Sequence, residues 1–219
     1  MPAVGATIYL TLNARVQQAT EDGLRLAVKG SNRRTGAAVV LDVNNGEIIA
    51  LASTPAIDPN DMSGRVSPAR YRELTRDPRN VFLNKPVAGG YPPASTFKLV
   101  STAAALEGLG LSPNKRFYCS GAINEGPQRF ECWKPGGHGS VNLRQALAES
   151  CDVYFYERVR TMGLTPELLN EYARLFGLGE KTGLDLPEEI AGFVPDREWK
   201  RRVYKDRWWT GDFLNMVIG

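Results

Sequence analysis

The sequence lacks any run of roughly 18 apolar residues, so no transmembrane helix is expected. Its first residues, Met1-Pro-Ala-Val-Gly-Ala-Thr7, show neither a basic n-region nor an apolar h-region, so no signal peptide is expected either. One-sided charge is missing. With 27 Lys and Arg against 24 Asp and Glu, the net charge of +3 gives neither a nucleic-acid footprint nor a lipid-binding surface without a local cluster. Cysteine is scarce at three, and an odd count suits a disulfide framework badly. The 22 glycines and 14 prolines follow no collagen period, and there is neither an internal repeat nor a low-complexity tract. An apolar fraction of 42% is too high for a disordered chain, and 219 residues suffice for a proper core in one large domain or two small ones.

The organisation that remains is mixed α and β. Residues 8–12 alternate like a short strand, and Asn13 then reads as the N-cap of a helix whose apolar stripe is Val16, Thr20, Leu24 and Val28, ending at Gly30. Residues 37–43 and 47–53 form two strands of a hairpin around Asn44-Asn45-Gly46. Residues 54–94 are rich in Pro, Gly, Asn and Asp, with a short helix at 68–74. A helix over 95–109 is apolar almost all round and therefore expected at the centre of a domain. Residues 110–140 read as a loop region, 143–161 and 166–175 as helices, and everything from Gly177 onward as loop-like.

Two constellations carry chemistry. Ser95-Thr96-Phe97-Lys98 places a hydroxyl and an amine one helical turn apart, and a desolvated lysine there can act as the base that activates the serine. A helix N-terminus also favours a developing oxyanion. Taken alone, the same spacing also describes a capping serine followed by a solvated lysine. The second constellation is Cys119, Cys132, His138 and Cys151, which gathers every cysteine and the sole histidine into one segment and makes a complete set for tetrahedral zinc. A Cys119–Cys132 disulfide, or unrelated loop and core positions, are the alternatives.

Tyr91-Pro-Pro-Ala-Ser95-Thr-Phe-Lys98 resembles the active-site motif of class B penicillin-binding proteins, the D,D-transpeptidases that cross-link peptidoglycan. Leu147-Ala-Glu-Ser150-Cys151-Asp152-Val-Tyr-Phe-Tyr156 is similar to that family's second motif, S-x-N, with Asp152 in the third place. Asp42-Val-Asn-Asn-Gly46-Glu-Ile-Ile-Ala50, Asn84-Lys-Pro, Gly137-His138-Gly139, Phe176-Gly-Leu-Gly179, Thr182-Gly183-Leu-Asp-Leu-Pro187 and Trp209-Thr-Gly211-Asp212 through Ile218-Gly219 also fit. The resemblance covers nearly the whole chain and is closest to the elongation-type group, that of penicillin-binding protein 2.

The resemblance implies an α/β (α+β) architecture of the penicillin-binding transpeptidase and serine β-lactamase-like kind: a helical lobe plus an N-terminal β-hairpin of an incomplete antiparallel sheet. Ser95 would be the nucleophile, Lys98 its base, Ser150 a proton relay and Asp152 a substrate-binding group. The substrate would be a peptidoglycan stem pentapeptide, with β-lactam antibiotics acylating the same serine and no cofactor entering the acyl transfer. The Gly-His-Gly stretch is kept in elongation-type relatives, which favours zinc on the four Cys and His residues. Partners would be a SEDS-type glycan polymerase and cell-shape scaffold proteins, with no nucleic acid, at the extracytoplasmic face of the cytoplasmic membrane and with the anchor outside this chain. The third motif, K-[ST]-G on a strand, is expected beyond the equivalent of Gly219. Lys181-Thr182-Gly183 reads as a decoy, because glycines precede it and Pro187 follows closely. Residues 1–219 are then a partial transpeptidase domain, weakly active or inactive alone. The competing functions are a serine β-lactamase-like hydrolase and a non-catalytic, zinc-stabilised binding module. The basic aromatic segment 199–209 is read as a surface segment of the helical lobe rather than a nucleic-acid site.

Overall fold

Asn13 turns its side-chain oxygen onto the N–H groups of Arg15 and Val16, and helix α1 (Ala14–Lys29) begins there. The computed structural model describes residues 5–32, 34–64 and 66–219, so the reading of the leader falls in part, at 1–4, outside the described residues. The chain divides into two units, Met1–Gly89 with Asp185–Ile190, and Gly90–Leu184 with Ala191–Gly219.

In the first unit β1 (Gly36–Leu41) pairs antiparallel with β2 (Ile48–Thr54), with Val40 opposite Ala50 and an irregularity before Leu41. Val16, Thr20, Leu24 and Val28 are the half-buried stripe of α1, as helical spacing requires. Gly36 lets that helix approach: a Cβ there would stand 2.9 Å from Leu24 Cδ1. Gln17 fastens the contact, its amide giving and taking one hydrogen bond with the Leu51 backbone at 2.9 and 2.8 Å. Residues 8–12 do not form the expected strand. They run beside β2 with only isolated bonds, Thr11 Oγ1 to the Ile48 carbonyl and Asn13 N–H to that of Ile49. Helix α2 (Pro68–Arg76), capped by Ser67, and the short α3 (Lys85–Ala88) follow. Lys85 is buried, its ammonium donating to the carbonyls of Asn80 at 3.0 Å and Pro55 at 3.3 Å.

The second unit holds a continuous core. A 3₁₀ turn (Ala94–Phe97) runs into α4 (Lys98–Ala103) and then a π turn (Ala104–Gly108). This stretch is not apolar all round: Leu99 is 60% exposed, and the buried set includes the polar Lys98 and Ser101. The residues expected as loop form four short strands: β3 (Phe117–Cys119) with β6 (Gly139–Val141), and β4 (Ala122–Glu125) with β5 (Gln128–Glu131). Each has three or four residues, too few for a period-2 pattern to show in the sequence.

The single helix expected over 143–161 is two, α5 (Leu143–Ala148), opened by an Asn142–Gln145 capping box, and α6 (Asp152–Met162). Between them Ser150 has φ of 51°, a left-handed conformation that stops α5. Helix α6 is the central one: Asp152, Val153, Tyr154, Phe155 and Tyr156 are buried in succession, so core surrounds it on every side. Burying apolar side chains such as Val153 and Phe155 stabilises by roughly 1.5–3 kcal/mol each. Helix α7 (Pro166–Leu175) lies where expected.

The remainder is not all loop, for α8 (Arg197–Tyr204) and α9 (Thr210–Ile218) are helical. Asp196 caps α8, which buries no residue, while α9 sinks Phe213, Leu214, Met216 and Val217 into the core. Three of the cations around α8 have partners of their own. Lys200 pairs with Asp212, Arg197 with Glu167, and Arg207 lies 3.6 Å from the Trp209 ring centroid.

Candidate active site and cysteine cluster

Every sequence-derived site residue lies in the second unit. Because Ala94–Phe97 is a 3₁₀ turn, residues three apart eclipse, and Ser95 and Lys98 come onto one side more directly than in an α-helix. Lys98 Nζ lies 3.1 Å from Ser95 Oγ, 2.9 Å from Ser150 Oγ, 3.0 Å from the Ser150 carbonyl and 2.6 Å from Asp152 Oδ1. Ser150 Oγ also donates to Ser95 Oγ at 2.9 Å. Lys98 is 1% exposed, while Ser95 itself is exposed. The Phe155 ring walls the amine, its centroid 5.7 Å from Nζ. Asp152 sits in the first turn of α6, where the helix dipole favours a carboxylate, and its second oxygen takes the Trp133 backbone N–H at 3.2 Å. Chemically this is an accessible hydroxyl joined by short hydrogen bonds to a second hydroxyl and a buried lysine–carboxylate pair. It can give up a proton to form an alkoxide and accept an acyl group.

The turn carrying Ser95 is packed from behind. Ala94 has φ of 48°, and a Cβ added at Gly219 (φ 94°) would lie 2.1 Å from the Ala94 carbonyl oxygen. Ser101 Oγ, one turn into α4, donates to the Val217 carbonyl at 2.6 Å. Helix α9 thus supports the serine turn, a role invisible in the sequence.

Cys119, Cys132, His138 and Cys151 also converge, with one donor atom from each lying within 4.8 Å of the others. Cys119 ends β3, and Cys132 follows β5 with its N–H on the Gly121 carbonyl at 2.8 Å. His138 precedes β6, and Cys151 lies in the turn after Ser150. The 134–137 turn that delivers His138 needs glycine at 137, because φ is 83° and a Cβ would fall 2.0 Å from the Cys119 carbonyl oxygen. All three cysteines are buried and free, so no disulfide joins them. Burial pushes the Cys151 thiol above the usual cysteine range, and the neighbouring Cys119 adds to the rise. His138 Nδ1 lies 3.5 Å from Cys132 Sγ and 3.7 Å from Cys119 Sγ. Tetrahedral zinc with sulfur at about 2.3 Å and nitrogen at about 2.0 Å has nitrogen–sulfur edges of about 3.5 Å. The donor set and its spacing fit such a metal.

Lys181, Thr182 and Gly183 are exposed and outside any strand, and no strand follows β6 among the described residues. Sequence reasoning missed two residues at the site. Trp133 bonds Asp152 through its backbone and meets His138 edge-on at 5.4 Å, and its position directly after Cys132 was the available signal. Glu149 lies with its carboxylate 3.8 Å from His138 Nε2, and nothing but adjacency to Ser150 marked it.

Residues 36–219 match the family model described as the penicillin binding protein transpeptidase domain. The peptidoglycan D,D-transpeptidase MrdA of Escherichia coli strain K12 is 37% identical over 220 residues, covering 100% of this chain and 33% of that protein. Penicillin-binding protein 2 of Helicobacter pylori, solved as a complex with MreC, superposes with a TM-score of 0.85 at 36% identity, over 95% of this chain and 38% of the other. A chain from a structure described as the coordination of polymerization and crosslinking by a peptidoglycan synthase complex gives 0.85 at 35% identity, over 96% and 38%. The chain spans about a third of the length of the curated relatives it matches. These relatives favour the transpeptidase reading over the β-lactamase-like and binding-module alternatives.

Proposed function

Because the chain belongs to the penicillin-binding protein transpeptidase domain family, we propose that it is the acyl-transfer part of a peptidoglycan D,D-transpeptidase of the elongation type. The observation that carries this reading is the buried Lys98 amine within 3.1 Å of Ser95, Ser150 and Asp152 together. Ser95 Oγ attacks the carbonyl of the penultimate D-Ala of a stem pentapeptide. Its proton passes, directly or through Ser150, to Lys98 in its neutral amine form, and the ammonium so produced pairs with Asp152. Ser150 then returns a proton to the departing amine, the terminal D-Ala leaves, and the acyl-enzyme is taken by the amine of a neighbouring stem peptide. Asp152 also lines the substrate side in this reading, and β-lactams acylate Ser95 by the same attack.

Cys119, Cys132, His138 and Cys151 would hold zinc, which supplies a structural cross-link between the strand region and the Ser150 turn. The acyl transfer itself needs no cofactor. The solved complexes of relatives with MreC and within a synthase assembly support a shape scaffold and a SEDS-type polymerase as partners of the whole protein. In this reading the activity lies at the extracytoplasmic face of the cytoplasmic membrane. None of the described helices is long and apolar enough to cross a membrane.

The test is covalent labelling by a fluorescent penicillin, read by intact mass. One adduct on Ser95 is expected, absent in Ser95→Ala and strongly slowed in Ser150→Ala. An adduct that persists in Ser95→Ala, or labelling that Ser150→Ala leaves unchanged, would overturn the assignment. Zinc content is measured separately: about one metal per chain is expected, and three freely titrating thiols without metal would remove zinc from the reading.

A further inference from the structure

The two nitrogens of His138 meet different chemistry. Nδ1 faces the sulfurs of Cys132 and Cys119, at 3.5 and 3.7 Å. Nε2 is buried with the rest of a side chain that is 0% exposed, and it has no hydrogen-bond partner. Facing it at 3.8 Å is Glu149 Oε2, on a side chain that is 45% exposed and so has room to turn. The backbone of Glu149 is fixed, for the Trp133 indole N–H donates to its carbonyl at 2.9 Å while the Trp133 ring lies against the imidazole.

A neutral imidazole has one N–H and one lone pair, so the partner of one nitrogen decides what the other can do. We propose that Glu149 is a positioning residue of the cysteine cluster. Its carboxylate accepts the Nε2–H of His138, and this tautomer leaves the Nδ1 lone pair free for the metal. The inference rests on the zinc reading above and deepens it. A carboxylate behind a metal-binding histidine is a general device, and removing one typically weakens metal affinity 10–100-fold. The stretch 149–151 would then deliver the outer carboxylate, the relay hydroxyl and a ligand thiol in three consecutive residues.

Zinc competition against a chromophoric chelator tests this on the 219-residue chain, with thermal melting as the folding check. Glu149→Ala should bind zinc about 10–100-fold more weakly than the parent. Glu149→Gln, whose amide oxygen still accepts Nε2–H, should recover most of that loss. Glu131→Ala is the charge control, because its exposed carboxylate pairs with Arg129; it should leave affinity unchanged. If Glu149→Ala fails to fold, Glu149→Leu replaces it. His138 is the only histidine, so ¹⁵N NMR of the zinc-loaded parent reports a single ring, expected to carry Nε2–H and a metal-bound Nδ1. Unchanged affinity in Glu149→Ala, an equal loss in Glu131→Ala, or metal on Nε2 would each overturn the assignment and leave the zinc reading standing. A parent chain that takes up no zinc would instead bring down the zinc reading, and this assignment with it.

Discussion

An ammonium group has three protons to donate, yet Lys98 has four oxygen atoms within 3.1 Å, so at least one proton is shared between two of them. The shortest, to Asp152, is a buried ion pair, with the side chains 2% and 12% exposed. Removing one member of such a pair leaves the other charge uncompensated, which costs about 3–5 kcal/mol. Asp152→Ala should therefore lower stability in urea by about that amount, and so should Asp152→Asn, which keeps an oxygen for Lys98 but not the charge. A much smaller loss in Asp152→Asn would show that the charge is immaterial and that the oxygen contact alone is what counts. Lys85 gives a pH test of the other buried lysine. Burial holds its ammonium below the usual lysine range, whereas the unfolded side chain titrates near 10.5. Between those two values the unfolded chain binds more protons, so stability rises with pH there and falls again as pH drops through the folded value. Lys85→Met should lose that slope, so the difference in urea midpoint between parent and variant should change in the parent's favour from about pH 8 to 11. A constant difference would count against burial as the cause.

Among the elements, those with long periodic patterns were legible in the sequence and the short ones were not. Helix α1 showed its stripe at 16, 20, 24 and 28 and its cap at Asn13, and α7 matched its expected span of 166–175. The strands β3 to β6 were hidden because each is three or four residues long, and α8 because its eight residues are mostly charged and span barely two turns. The break between α5 and α6 was equally hidden, since Ser150 adopts a left-handed backbone with no glycine to announce it. Ser95, Lys98, Ser150 and Asp152 were named through the family resemblance and the four cluster residues from their type and grouping, whereas Trp133 and Glu149 owe their places to the fold alone. The short strands have few ladder bonds of their own, so the cluster that joins β3, β5 and the Ser150 turn should set their rigidity. Cys132→Ser is expected to raise amide exchange across 117–141 well before the β1–β2 hairpin is affected. Simultaneous loss of protection in both regions would show that the cluster holds no local structure.

At the scale of the whole molecule, the described residues hold two of the three stretches that the family resemblance calls for, and the Lys-Thr-Gly at 181–183 lies exposed and outside any strand. Lacking one oxyanion donor alone slows acyl transfer on the order of 10²–10³-fold. The isolated chain is therefore expected to label with penicillin specifically at Ser95 but slowly. Rapid stoichiometric labelling would point to 181–183 as a working third motif. The turn that carries the nucleophile has one further dependence, on Gly219. Its backbone angle suits glycine, and any Cβ there would strike the Ala94 carbonyl oxygen. Over evolutionary time this constrains Gly219 through a stretch of backbone 125 residues away. In a library randomised at both 94 and 219 and selected for penicillin labelling, position 94 should drift among small residues while position 219 stays monomorphic, since no change at 94 removes a backbone oxygen.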